Sequence, residues 1–494
     1  MYSIRFNFLV VSFLFCTAFS WSQNCAEYLN LRKVAITEQK LCTEAMNSDL
    51  IQLHDAILEI HPNPFLYIKE DVFIDAYKKA LLASATEKSV VEFAQIVAGF
   101  MHSIKDSHTN FNLRDLLFSG NPKKLITPFY VKQIDKKFYL EEILNDQLPV
   151  GVEVLKINQF SADSLFKLTQ SFSLIEGNAY DAQSEISTKM MGIAFNVFNA
   201  KPSISMTYVN AKDDTITQFC ERTTVKKMMR LKKWFDLEEL NYFFDNNNVA
   251  VLTIKSFEPH NLGKFKKEVD FFFAEVKAKN CQQVVIDLRD NRGGLILAQE
   301  YVISHLNKDK TPQKMNYLYR RSKFDRFSSL PFYQEWQFQK RARFANPNGI
   351  LTKEYEFYKS PFGTVKTILY DYLPRNNDNQ VYSGKCTLVI NGFSMSASAM
   401  FASWFRDNNR GEILGTPCMG SMSGTFGNSA VIRLEHSQLP LMIATLKFTP
   451  VKYSEIEYNS IQPDKWVNFN IEDLKSKEDP VLNYLGIKKK SEDK

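Results

Sequence analysis

At 494 residues the chain is longer than one hydrophobic core usually serves, so roughly two to four domains are expected. A content of 45% apolar and 23% charged residues excludes a chain disordered along its length. A net charge of +6, from 61 basic and 55 acidic residues, excludes a strongly cationic nucleic-acid surface, and the run Lys488-Lys489-Lys490 reads as part of a solvated polar tail over 481–494.

Residues 1–23 read as a signal peptide. Arg5 supplies a positive start, 6–19 is a mostly apolar run, and Ser20, Ser22 and Gln23 give a polar exit for cleavage. The run is shorter than the roughly 20 residues of a comfortable transmembrane helix. Export to a periplasm-like or extracellular space is expected, with no membrane segment after signal removal. Cys16 would leave with the signal, and six cysteines would remain. Cys25 and Cys42 are the one pair close in sequence, and a disulfide between them is left open. No cysteine or histidine cluster has zinc spacing, so neither a metal nor a cofactor is expected.

Residues 24–120 have helical texture, with Leu50, Leu53, Ile57 and Ile60 recurring at three and four residues and 90–101 doing the same. This segment closes on Ser107-His108-Thr109. From 121 to 225 the pattern shifts to short strands, including Gly151-Val152-Glu153-Val154-Leu155-Lys156-Ile157-Asn158. A β-rich module is expected here, and that phrase resembles the central strand of a PDZ domain.

From 245 to 480, apolar strands at 249–254, 283–288 and 386–390 alternate with helical stretches at 265–278, 295–306 and 398–406. That alternation predicts an α/β core with a largely parallel sheet. A long insert at 311–382 carries Arg320, Arg321, Arg326, Arg341 and Arg343 among aromatics, and reads either as cleft lining or as a solvated excursion.

Three phrases carry chemistry. Ile390-Asn391-Gly392-Phe393-Ser394-Met395-Ser396-Ala397-Ser398 puts hydroxyls at a strand-to-helix junction, beside free N–H groups of a helix start. Taken alone, it is equally an ordinary serine cap. Asp287-Leu288-Arg289-Asp290-Asn291-Arg292-Gly293-Gly294 sets paired glycines after a buried strand, where backbone can approach a ligand closely. It lacks the spacing of a dinucleotide fingerprint. Ser107-His108 offers a histidine in a polar turn.

Together these phrases resemble the family of tail-specific, or C-terminal-processing, serine peptidases, which includes the catalytic core of tricorn. The family's D-L-R-x-N-x-G-G is read at 287–294 and its S-x-S-A-S-E at 394–399. Its I-E-x-x-G-V-x-P-D is read at 456–464, and its L-x-D-G-H-T at 104–109. Many members use a Ser–Lys dyad, with the lysine in a Gly-Lys phrase. Here Gly420 keeps the glycine and Ser421 stands where that lysine would be. The tricorn branch uses Ser, His, a second Ser and Glu, and the resemblance carries these roles to Ser396, His108, Ser107 and Glu457. Ala397 with Gly293 or Gly294 would supply the oxyanion donors.

The resemblance implies a multidomain α/β fold, with a helical cap, a PDZ-like module and a peptidase core. It implies an exported serine endopeptidase acting on polypeptides, with Ser396 as nucleophile and His108 as base. A non-catalytic binding protein on the same fold, or a displaced Ser–Lys dyad using Lys447 or Lys452, stands as the alternative. Lys447, in an apolar strand-like run, is expected to snorkel.

Overall fold

The computed structural model describes residues 39–111, 125–127, 129–143, 148–198, 204–224, 226–227, 239–309, 313–328, 330–347, 349–372, 381–452 and 458–488. The expected signal segment, Cys25 and Glu457 lie outside the described residues. No helix among these residues is long and apolar enough to cross a membrane. Cys42 is disulfide-bonded, its partner lying outside the described residues.

Helices α1 (Thr43–Ile60), α2 (Glu70–Ala83) and α3 (Val90–His102) open the chain. Helix α1 buries Met46, Leu50, Leu53, Ile57 and Ile60 on one stripe. Ser89 and Glu92 start α3 with a reciprocal capping box. The helices do not form a core of their own. Their apolar cluster includes Ile432, Leu434, Leu439, Leu441 and Ile443 from far downstream, and Asn110–Phe111 pairs with the strand Pro440–Ile443.

The next module has strands β1 (Phe129–Ile134), β2 (Lys137–Ile143), β3 (Glu153–Ile157), β4 (Ile204–Val209) and β5 (Thr215–Cys220). They form an antiparallel sheet in the order β5-β4-β3-β2-β1, separate from the core sheet. It also holds two helices that strand texture did not reveal, α4 (Ala162–Gln170) and α5 (Tyr180–Phe198). The reason lies in how α5 is used. Ala182 and Ile186 pack against Phe393, Met395 and Met419 of the core, while Met191 and Phe195 pack in the module. A helix buried against two partners shows no single apolar stripe. Gly192 lets α5 lie on β1, because a Cβ there would come 2.1 Å from the Phe129 carbonyl oxygen.

The core sheet joins β6 (Leu240–Phe244), β7 (Val249–Ile254), β8 (Gln283–Asp287), β11 (Lys385–Ile390), β12 (Glu412–Gly415) and β17 (Lys465–Trp466), in that spatial order. The β6–β7 pair is antiparallel and the remaining pairings are parallel. Helices α6 (Leu262–Ala278), α7 (Ile296–Ser304) and α10 (Ala397–Asp407) contribute to its core. Strands β8 and β11 are buried almost throughout, as parallel strands covered on both faces require.

Over its described residues the insert forms strands and helices packed by aromatics, with the helix Phe332–Arg343 largely exposed. It supplies β9 (Gln313–Arg320), α8 (Phe332–Arg343), α9 (Ile350–Lys359) and β10 (Val365–Tyr372). Its two strands join β13 (Thr425–Gly427) and β16 (Leu446–Pro450) in a second sheet, ordered β10-β9-β16-β13. Its arginines serve this packing. Arg320 Nε donates to the His61 carbonyl at 2.8 Å, buried Arg321 pairs with Asp325, and Arg326 pairs with Glu354 at 3.3 Å. Arg341 and Arg343 are exposed on α8.

Candidate active site

Strand β11 ends at Ile390, and the chain reaches α10 through a turn in which Ser396 has φ 55° and ψ −121°. An L-residue with a side chain is strained there, and such outliers persist only where surroundings hold them. Here the surroundings do hold it. Ser394 Oγ donates to the Leu288 carbonyl at 2.7 Å and accepts the Asn391 N–H at 3.0 Å. Met395 N–H donates to the Asn291 carbonyl at 3.1 Å. Ser394 is thus fully buried and committed, and Ser398 is fully buried inside α10. Ser396 alone of the three is partly exposed.

Gly293 lies against this serine. A Cβ on Gly293 would come 2.6 Å from Ser396 Cβ and 2.8 Å from Ala397 N, so only glycine permits the approach. Gly293 and Gly294 have φ of 92° and 136°. Gly293 N–H donates to Asn291 Oδ1 at 2.9 Å, which commits it within the loop. The parallel bridge between Phe257 and Gly294 uses the Gly293 carbonyl and the Leu295 N–H, leaving the Gly294 N–H outside it. Ala397 is the first residue of α10, where N–H groups lack helical partners.

The histidine loop is built differently. Asp106 Oδ1 accepts the His108 N–H at 2.8 Å, and Asp106 Oδ2 lies 3.0 Å from His61 Nε2. Ser107 Oγ lies 3.1 Å from His108 Nδ1 and donates to Glu176 Oε2 at 2.5 Å. Glu176, between α4 and α5, also accepts the Ser107 N–H at 3.1 Å, the Tyr67 hydroxyl at 2.8 Å and the Phe426 N–H at 3.3 Å. Burial pushes the His108 imidazole below its ordinary value, against the pull of the Asp106 carboxylate. Burial and the Asp106 charge push the Glu176 carboxyl up to about 8. Burial also raises Asp106, but the His61 hydrogen bond and charge outweigh it and the net direction is down.

Asp106, His108 and Glu176 each place one possible ligand atom within 4.8 Å of the others. Those side chains are already engaged in the hydrogen bonds just described. Among the described residues no hydrogen bond joins Ser396 Oγ to His108. The histidine loop is tied to the segment before α5 by Gly177 N–H donating to the Lys105 carbonyl at 2.9 Å, and Ala179 of that segment and Ala182 of α5 pack on Met395 and Met419 of the core.

Residues 248–467 match the model of peptidase family S41. Over these residues the chain is similar to that family, and it is a peptidase. No curated protein sequence matches it. Among solved structures it is similar to mature CPAF complexed with lactacystin, with a TM-score of 0.63 and 13% identity over 90% of this chain and 97% of that one. It is likewise similar to mature CPAF, with a TM-score of 0.61 and 14% identity over 90% and 96%. At such identity the likeness shows the fold.

In this peptidase, α5 also touches both core loops of the site. Glu185 accepts from Asn391 Nδ2 at 3.1 Å, Gly392 N–H at 3.0 Å and Thr416 Oγ1 at 2.7 Å. One turn on, Lys189 pairs with Asp290 at 3.3 Å. Burial raises the Asp290 carboxyl, but Lys189 and Lys255 outweigh it and hold it well below the usual carboxylate range. A cleft of about 410 Å³ lies here, lined in part by Lys189, Lys255, Asp290 and Asn391. Sequence reasoning missed Glu176 and Glu185, and gave Asp106 no role although it stands at the aspartate of the phrase at 104–109. The signal of Glu176 and Glu185 was faint, because each stands in an unremarkable polar context and gains meaning only from partners distant in sequence.

Lys447 corrects one expectation. It is 2% exposed and faces Phe426 across the β13–β16 pair, so its stem does not reach water.

Proposed function

We propose that this peptidase is an exported serine endopeptidase in which Ser396 is the nucleophile and His108 the general base. The observation that carries the reading is the strained Ser396, presenting its hydroxyl at a strand-to-helix junction against Gly293. An unassisted serine is a poor nucleophile. A neutral imidazole takes the Ser396 proton as Oγ bonds to the substrate carbonyl carbon, then returns it to the departing amine. Water repeats the sequence and releases the acyl group. The N–H groups of Ala397 and Gly294 are the proposed donors to the oxyanion, Gly293 N–H being committed to Asn291. The polar serine expected beside the base, Ser107, sits next to His108 Nδ1. Glu457, the expected fourth member, lies outside the described residues.

Polypeptide substrates follow from the family, and a loosely folded chain suits a site formed between modules. Export is supported by the apolar start after Arg5 and by the disulfide at Cys42. A fluorophosphonate probe tests the chemistry. Folded protein is expected to be labelled on Ser396 and to cleave a denatured protein substrate, and Ser396→Ala to abolish both with its thermal midpoint kept. Labelling or turnover that survives in Ser396→Ala and disappears in Ser398→Ala would refute the assignment.

A further inference from the structure

We propose that Glu176, supplied by the second module, is a positioning residue for His108, acting through Ser107 to fix which ring nitrogen is free. The inference rests on the Ser396–His108 reading and names a carboxylate that the family phrases do not.

Nδ1 of His108, Oγ of Ser107 and Oε2 of Glu176 form one chain, with steps of 3.1 Å and 2.5 Å. The Glu176 side chain is 1% exposed, so water does not compete for the end of that chain. Its other oxygen is held by the Tyr67 hydroxyl and the Phe426 N–H, which fixes the carboxyl's orientation from two further segments. The heavy atoms permit two proton arrangements. With Glu176 ionised, Nδ1–H donates to Ser107, Ser107 O–H donates to Glu176, and Nε2 keeps a lone pair for the Ser396 proton. With Glu176 protonated, its O–H donates to Ser107, Ser107 donates to Nδ1, and the ring proton moves to Nε2. The second arrangement has no base facing the nucleophile.

Asp106 does not replace this function. Both carboxylates lie 3.9 Å from Nδ1, but that of Asp106 is engaged by His61 and the His108 backbone, and the Ser107 hydroxyl bridges Nδ1 to Glu176 instead. The groups facing Glu176 are Tyr67 after α1, Asp106 with its partner His61, Ser107 and His108 after α3, and the Phe426 backbone on β13. Because burial and Asp106 favour its neutral form, the relay changes direction as the carboxyl ionises. The wild-type kcat should therefore gain a step in the alkaline range that a glutamine at this position lacks.

The test is a double-mutant cycle on purified full-length protein, read as kcat and KM on one peptide substrate and as the rate of fluorophosphonate labelling. Glu176→Ala and Glu176→Gln should lower kcat on the order of 100-fold with KM nearly unchanged. In a Ser107→Ala background the Glu176 change should cost little more, since both act along one path. Glu176→Gln keeps the side-chain volume, and its thermal midpoint shows whether the comparison is between folded proteins. Wild-type kcat in Glu176→Gln, fully multiplying losses in the double mutant, or an equal alkaline step in both proteins would overturn the proposal. So would a relay loss confined to Glu457→Ala. Wild-type protein that is folded yet neither labels on Ser396 nor loses turnover in His108→Ala defeats the underlying reading instead, and the wild-type arm reveals that separately.

Discussion

The turn of the proposed nucleophile and the loop of the proposed base are held by different physics. Ser396 sits between a buried core strand and a helix, and its strained backbone is fixed by short loops packed glycine against serine. Four residues of the same α/β core, Leu288, Asn291, Gly293 and Asn391, do most of that work. His108 stands on a loop whose shape comes from buried side chains: His61 and Asp106 on one side, Glu176 and Tyr67 on the other. The first half is set by local packing and tolerates no added volume. The second is set by a polar network spanning more than 100 residues of sequence, and a network loses function when one member is left unsatisfied.

The largest effect should come from removing the proposed base. His108→Ala is expected to lower turnover on the order of 10⁴-fold or more, as loss of one member of a cooperating set does. Lys447→Met is the paired comparison. Lys447 is buried in β16, and turnover per folded molecule should stay close to wild type. Steady-state kinetics on both variants decide between them. A His108→Ala protein with near-normal turnover beside an inactive Lys447→Met protein would mean a displaced Ser–Lys dyad.

A smaller effect is expected on the rigid half from Gly293→Ala. The new Cβ would press on Ser396 Cβ and Ala397 N at 2.6 and 2.8 Å, at a φ of 92° that disfavours any side chain. The hydroxyl and the adjoining N–H groups must shift, and losing one oxyanion donor typically costs about 100- to 1,000-fold in kcat. Substrate binding farther along the chain should be little changed, so KM should move far less than kcat. An unchanged kcat would show that the Gly293–Ser396 contact does not position the nucleophile.

This contrast also explains what the sequence disclosed. The core strands, their parallel pairing and the serine-rich junction were legible because buried parallel strands read as continuous apolar runs and turns carry glycine. The glycines at 293 and 294 were legible for the same reason. The helices of the second module were not, because α5 divides its apolar residues between two partners. Glu176 and Glu185 were not legible either, whereas Asp106 stands at the aspartate of the phrase read at 104–109. A single carboxylate in a polar stretch carries no period, and the hydrogen-bond partners of Glu176 and Glu185 lie 69 to 250 residues away. The insert's arginines pointed toward a cleft, yet Arg320 and Arg321 are used up in packing.

The smallest expected effect is on stability, and it isolates the network half of the site. Glu176 has a folded-state carboxyl raised to about 8 by burial and the neighbouring Asp106 charge, against an unfolded value near 4.3. Between those values the folded state holds a proton that the unfolded state has lost, so raising the pH favours unfolding. The contribution is fully present below the unfolded value and disappears as pH rises through about 8. Within the window a single group changes the unfolding free energy by up to about 1.4 kcal/mol per pH unit. His108 acts with the opposite sign. Its lowered value means that stability is lost as pH falls through it, on the acid side of the ordinary histidine range. Urea unfolding of wild type and Glu176→Gln from pH 5 to 9 separates the two, since glutamine cannot ionise and leaves His108 in place. The wild-type curve should fall away from the glutamine curve as pH rises toward 8, while both keep the same acid-side decline. Parallel curves across the range would mean that Glu176 ionises in the folded protein as it does in the unfolded chain, and the buried relay would then carry a full charge at neutral pH.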